Sequence, residues 1–320
     1  MQLIKPNKVI LVTGACGQIG TELVKFLRRL YGRASVIASD IKPERSALLS
    51  EGQYTFLDVL DKGAVAKTVS TCGVTHIYHL AAVLSASGEE NPRNTWEINM
   101  DSLLNVLEVA RQQQLSQVFW PSSIAVFGPA SIQDNCPQEA LPEPETVYGI
   151  SKLAGEHWCR YYRDRYGLDV RSLRYPGLIS HSAMAGGGTT DYAVDIFHKA
   201  ITEQQYHCFL REDTKLPMMY MPDAVRATVE LMEAPREKVS QVSAYNIAAM
   251  SFTPMELAAE VGSYVPNFKM QYQPDHRQRI ADSWPGAIDD RRARQDWGWV
   301  PHYNMYMMTM DMMGKLSPPK

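Results

Sequence analysis

A chain of 320 residues with 45% hydrophobic and 21% charged side chains has enough apolar material for a large core, which excludes an intrinsically disordered protein. Its 32 Lys and Arg against 35 Asp and Glu leave a formal charge of −3, which excludes a generally basic nucleic-acid binder. No uninterrupted apolar stretch is long enough to span a bilayer, so no membrane partner is expected. Residues 1–7 have neither the build of a secretory signal nor that of an Arg/Ser-rich transit segment. The expectation is a cytoplasmic protein, with a mature organellar one as the alternative. Five scattered cysteines without a CxxC pair read as reduced thiols and give no metal site. His76 and His79 fall on a predicted strand at odd spacing, which turns them to opposite faces and argues against a shared metal.

The first half alternates between two periods. Residues 8–13 form a short β-branched run stopped by Gly14, the pattern of a buried strand. Ile19, Leu23, Phe26, Leu27 and Leu30 then repeat at helical spacing. Further strands are predicted at 35–39, 54–57, 76–80, 117–120 and 170–174, with helices at 99–114 and 147–166 among the segments between them. Strand–helix alternation with buried strands predicts an α/β fold: a doubly wound parallel sheet of Rossmann type. Beyond Tyr175 the rhythm loosens. A triple glycine at 186–188 is followed by predicted helices at 191–201 and 222–232, and Thr253-Pro254-Met255-Glu256 is a strong helix start. The methionine-rich tail reads as an amphipathic helix. The expected division is 1–175 as dinucleotide-binding domain and 176–320 mainly as a smaller C-terminal substrate-binding lobe, with some segments returning to the first domain.

Gly14-Ala15-Cys16-Gly17-Gln18-Ile19-Gly20 joins the first strand to the first helix. A tight turn, close approach of a pyrophosphate and close strand–helix packing each favour a residue without Cβ, and the helix N-terminus offers N–H groups to an anion. Asp40 ends the second strand, where a carboxylate accepts from ribose hydroxyls and repels a 2′-phosphate. The cofactor expected is therefore NAD rather than NADP, a preference that Lys42 would soften. Asp58, with Val59 beside it, is a candidate for the adenine edge or a cap for the helix that follows.

Tyr148 and Lys152 stand four apart on one helix face. An ammonium one turn from a phenol favours phenolate and makes it usable as a base. Ser122-Ser123 ends the preceding strand segment with a hydroxyl able to hold a substrate oxygen.

Together these residues resemble the extended short-chain dehydrogenase/reductase family along nearly the whole chain: the glycine motif, Asp40, His79-Leu80-Ala81-Ala82, Asn99, Ser122-Ser123, Val126-Phe127-Gly128, Tyr148/Lys152 and Arg174-Tyr175-Pro176-Gly177. The resemblance implies Ser123, Tyr148 and Lys152 as the catalytic set. It implies Gly14, Gly17, Gln18, Ile19, Gly20, Asp40, Asp58, Val59, Leu80, Ala81, Ala82, Asn99, Tyr148, Lys152, Tyr175 and Leu178 at the cofactor. Residues 173–180, 186–192 and 279–285, followed by Asp289-Asp290 and 296–299, are similar to the L-threonine 3-dehydrogenase group of that family. That similarity implies oxidation of the C3 hydroxyl of L-threonine to L-2-amino-3-oxobutanoate with NAD+ as oxidant and Tyr148 as base. Ser85, Ser123, Tyr148, Gly188, Thr189 and Trp284 would then meet the substrate, with the glycine N–H groups open to its carboxylate. A homodimer through the helices at 99–114 and 147–166 is also implied.

Two other functions fit parts of the pattern. A nucleotide-sugar epimerase or dehydratase shares the cofactor loop and catalytic set, and would use Arg277, Arg279, Arg291, Arg292 and Arg294 as a basic cleft rather than in surface ion pairs. A catalytically idle, redox-sensing member would have no need for the intact Ser/Tyr/Lys set.

Overall fold

The computed structural model describes residues 8–42, 52–131, 134–182, 186–239 and 243–317. The strand Ile10–Thr13 is buried at all four positions and lies between two parallel neighbours, Val36–Asp40 and His76–His79. The large sheet has six parallel strands in the spatial order Tyr54–Phe56, Val36–Asp40, Ile10–Thr13, His76–His79, Gln117–Phe119 and Val170–Arg171. Chain order reverses beside the first strand, and the reversal opens a crevice at the carboxyl ends. This is the doubly wound parallel sheet expected from the alternation.

The strand expected at 170–174 is divided. Trp120 N–H donates to the Arg171 carbonyl, but Pro121 has no N–H with which to continue the ladder. Val170–Arg171 therefore pairs with the large sheet, while Leu173–Tyr175 pairs with Ser122–Ser123 and Tyr245–Asn246 in a separate three-stranded sheet. The division carries both serines past the end of the large sheet.

The helix Gln18–Tyr31 buries Leu23, Val24 and Leu27 in a core shared with Val225, Val229 and Met232 of the later helix Met221–Glu233. The helix expected at 99–114 opens instead with a π turn, Glu97–Asp101, and continues as α-helix over Ser102–Gln112. Val147–Tyr166 is one helix with the expected bounds, capped by the Thr146 hydroxyl, which accepts from Gly149 N–H. In the second half, Leu216–Tyr220 runs parallel to Gly177–Ile179 and antiparallel to Met250–Phe252. Thr253 and Glu256 close a reciprocal capping box on the helix Pro254–Gly262. The tail forms the helix Met305–Leu316, whose Met308, Met312 and Met313 share a core with Phe197 and Trp284. Among the described residues no helix is long and apolar enough to cross a membrane.

Candidate active site

A cavity of about 640 Å³ opens at the carboxyl ends of the large sheet and draws its walls from both halves of the chain. Gly14, Gly17, Gln18, Ile19 and Gly20 line one end. Gly14 adopts φ +67°, and a Cβ on it would stand 2.6 Å from Ala81 N, so only glycine lets the loop lie against the Leu80-Ala81-Ala82 segment. No side chain caps the helix at Gly17, which leaves its N-terminal N–H groups to a ligand. Gln18 Nε2 is buried without a hydrogen-bond partner. Asp40 accepts from Cys16 N–H at 2.9 Å on one oxygen and from Lys42 N–H at 3.2 Å on the other. Each carboxylate oxygen keeps lone-pair capacity for a hydroxyl. An uncapped helix end, an orphaned amide donor and a carboxylate at the neighbouring strand end together fit a dinucleotide with a free ribose diol.

At the middle of the cavity stand Ser123, Tyr148 and Lys152. Gly149 allows the meeting: a Cβ there would lie 2.1 Å from the Ala125 carbonyl oxygen, so a larger residue would push the helix away from Ser123. Ser123 Oγ accepts from Ala125 N–H at 3.1 Å, and the Ser123 hydroxyl favours the ionised form of the Tyr148 phenol. Lys152 Nζ donates to the Pro121 carbonyl at 2.7 Å and lies 4.5 Å from the centre of the Trp120 ring and 5.4 Å from that of Tyr148. Burial pushes the Tyr148 phenol up to about 12 and the Lys152 ammonium down to about 7. In the protein alone burial disfavours the charged form of each group, the phenolate of Tyr148 and the ammonium of Lys152.

Below Lys152 lies Glu156, whose negative charge favours the ammonium. Glu156, one turn further along the helix, accepts from Ser122 Oγ at 2.6 Å and from Arg174 through both its oxygens at 2.8 Å. The pair is buried, and Arg174 also donates to the Gln138 carbonyl and to Asn246 Oδ1. The Tyr148, Lys152, Glu156 spacing of four was the signal available in the sequence.

Ser85, Ser87, Gly188, Thr189, Asp191 and Trp284 form the far end. Ser85 Oγ and Thr189 Oγ1 are 3.1 Å apart, both residues are buried, and Ser85 Oγ accepts from Thr189 N–H at 3.3 Å. The glycine N–H groups expected to face a carboxylate ligand are already engaged: Gly187 and Gly188 donate to Asp191 Oδ2 at 2.8 and 2.7 Å. Trp284 both lines the cavity and anchors the core of the second half.

Of the other expected cofactor residues, Leu80, Ala82, Tyr175 and Leu178 line the cavity. Asp40, Asp58, Val59, Ala81 and Asn99 are not part of its lining. Asp58 Oδ1 accepts from Leu60 N–H, and the cap of the helix Lys62–Cys72 is Asp61 rather than Asp58. Asn99 acts through others: it is bonded to the N–H and carbonyl of Val83 and donates to Ser151 Oγ, which donates to the Tyr148 carbonyl. Arg277, Arg291, Arg292 and Arg294 are paired with Asp275, Asp289, Asp296 and Asp290. They do not form a free basic cleft.

A dinucleotide crevice with serine, tyrosine and lysine at its centre defines an extended short-chain dehydrogenase/reductase. The chain belongs to the NAD dependent epimerase/dehydratase family, whose model matches residues 10–248. The family's NAD dependence agrees with the cofactor expected from Asp40. The chain is 47% identical to an uncharacterized epimerase/dehydratase of Staphylococcus saprophyticus, over 97% of each chain. It is 55% identical to the holo form of a GalE-like L-threonine dehydrogenase from Cupriavidus necator, covering 97% of this chain and 100% of that one with a TM-score of 0.94. An L-threonine dehydrogenase from Clostridium difficile is 44% identical over 98% of both chains, also with a TM-score of 0.94.

Proposed function

We propose that the protein oxidises the C3 hydroxyl of L-threonine to L-2-amino-3-oxobutanoate. The observation that carries this reading is the meeting, in one cavity, of Ser123 and Tyr148 with the buried Ser85–Thr189 hydroxyl pair. The likeness to threonine dehydrogenases of C. necator and C. difficile supports it.

Residues 1–175 carry the cofactor and residues 176–320 supply much of the substrate end. Gly17 and Gln18 would hold the phosphates of NAD+ and Asp40 its ribose; the cofactor would supply the hydride acceptor and a cationic ring near the phenol. Ser123 donates to the substrate oxygen and fixes it beside Tyr148 Oη, which removes the hydroxyl proton. Lys152, held by the Pro121 carbonyl, stands by the Tyr148 ring, where its ammonium form would favour phenolate. Ser85 and Thr189 orient the amino-acid head group, and Trp284 closes the small end of the pocket.

A homodimer through the helices at 99–114 and 147–166 would cover Ile150, Trp158 and Tyr161, which are exposed in the single chain, and the sedimentation coefficient tests it. The reaction itself is tested by incubating the protein with NAD+ and L-threonine and identifying the amino ketone by mass. Appearance of that product in step with NADH supports the reading, and NADH without it overturns the assigned product.

The nucleotide-sugar alternative loses its main support, because four of the five arginines proposed for a diphosphate cleft are neutralised by aspartates.

A further inference from the structure

We propose that the Asp191 carboxylate is the seat for the substrate's ammonium group, so that the protein selects small hydroxy acids that carry a free amine. This rests on the threonine reading above and goes beyond it by naming the group that reads the amine.

Asp191 stands at the N-cap of the helix Tyr192–Glu203, where an aspartate ordinarily turns back onto its own helix. It makes no such bond. Its Oδ2 accepts instead from the N–H groups of Gly187 and Gly188. The residue is 7% exposed and lines the cavity. Among the described residues no lysine, arginine or histidine forms an ion pair with it; the guanidinium of Arg277, the nearest cationic influence, is paired with Asp275 and stacked on Phe209. Asp195, one turn along, adds a like charge. Burial holds the Asp191 pKa above the usual carboxylate value despite the glycine N–H donors.

A buried carboxylate without a cation is costly, and a cation that enters beside it recovers much of that cost. The N–H groups of Gly187 and Gly188 bond to Oδ2 and that of Gly186 also favours the ionised form, while the carboxylate keeps lone-pair capacity for a further donor. An ammonium supplies the charge and three donors, of which Asp191 takes one; the Ser85 and Thr189 hydroxyls offer further acceptors in the same cavity. A nucleoside diphosphate brought to this end would meet an anion. The same carboxylate that welcomes an amine therefore rejects a nucleotide sugar.

The test compares L-threonine with 3-hydroxybutanoate, which has the same hydroxyl-bearing carbon and carboxylate but no amine. Asp191→Asn keeps an oxygen for the glycine N–H groups and removes the charge; Asp191→Ser does the same with a shorter side chain. Calorimetric NAD+ binding identifies variants whose cofactor end is intact. The kcat/KM ratio of threonine to 3-hydroxybutanoate is expected to fall on the order of 100-fold in either variant relative to the wild type. A wild type that oxidises threonine, with a ratio unchanged in both variants, overturns the ammonium seat and leaves Asp191 as a staple of the glycine loop. A wild type that does not oxidise threonine overturns the function itself and this proposal with it.

Discussion

Lys152 is bonded to the carbonyl oxygen of Pro121, at 2.7 Å, rather than to the phenol it serves. That bond and the face of Trp120 hold the ammonium in an apolar setting, with its pKa pushed down to about 7. Tyr148 meets the same setting from above and is pushed up to about 12. Burial shifts both members of the pair toward their neutral forms.

Tyr148 is accordingly expected to remain a neutral phenol in the cofactor-free protein throughout the neutral pH range. Ultraviolet difference titration of the wild type against Tyr148→Phe measures this directly. No phenolate from this residue is expected below pH about 10, the value of an ordinary tyrosine, and a titration near neutrality in the free protein would contradict the account.

Replacing Tyr148 by Phe removes the proton acceptor and little else, since the ring and its packing are kept. Turnover is expected to fall by about 10²- to 10⁴-fold, with the NAD+ dissociation constant nearly unchanged. Steady-state kinetics and calorimetry give the two numbers, and wild-type turnover would mean that another group is the base.

Ser85→Ala leaves the Thr189 N–H and hydroxyl without their partner in a buried setting. An unsatisfied buried polar group costs about 1–3 kcal/mol, so KM for threonine is expected to rise by roughly 10- to 100-fold. An unchanged KM would remove this pair from the substrate end.

His79 is buried between Thr13 Oγ1 at 2.8 Å and Ser102 Oγ at 3.1 Å, and burial lowers its pKa from 6.5 to about 3. The unfolded chain binds this proton more readily than the folded one. Stability is therefore intact above pH 6.5 and is lost as pH falls from 6.5 toward 3. The loss from this group is about 1.4 kcal/mol per pH unit within that window. His79→Gln is expected to flatten the acid limb of the melting temperature against pH; an acid limb of the same slope would assign the effect elsewhere.

The parts of the site legible in the sequence are those whose partners lie nearby along the chain. The glycine turn, Asp40 at a strand end and the Tyr148–Lys152 face follow from one strand, one turn or one helical repeat. The bounds of Val147–Tyr166 were readable because Thr146 caps one end and Gly167 stops the other. What stayed hidden depends on contacts between distant segments. Pro121 splits the last strand only because Arg171 pairs beside it, and Arg174 finds Glu156 across a sheet that Ser122 and Tyr245 complete. The diversion of Asp191 to Gly187 and Gly188 follows from the way the triple-glycine loop folds back on the helix start, which no spacing rule specifies.

The most direct trial of the assigned function follows NADH absorbance with NAD+ and L-threonine in one cuvette and NAD+ and a UDP-sugar in another. Steady accumulation of NADH with threonine, and none with the sugar, is the expected result. Interconversion of the sugar with no net NADH, and silence toward threonine, would contradict it.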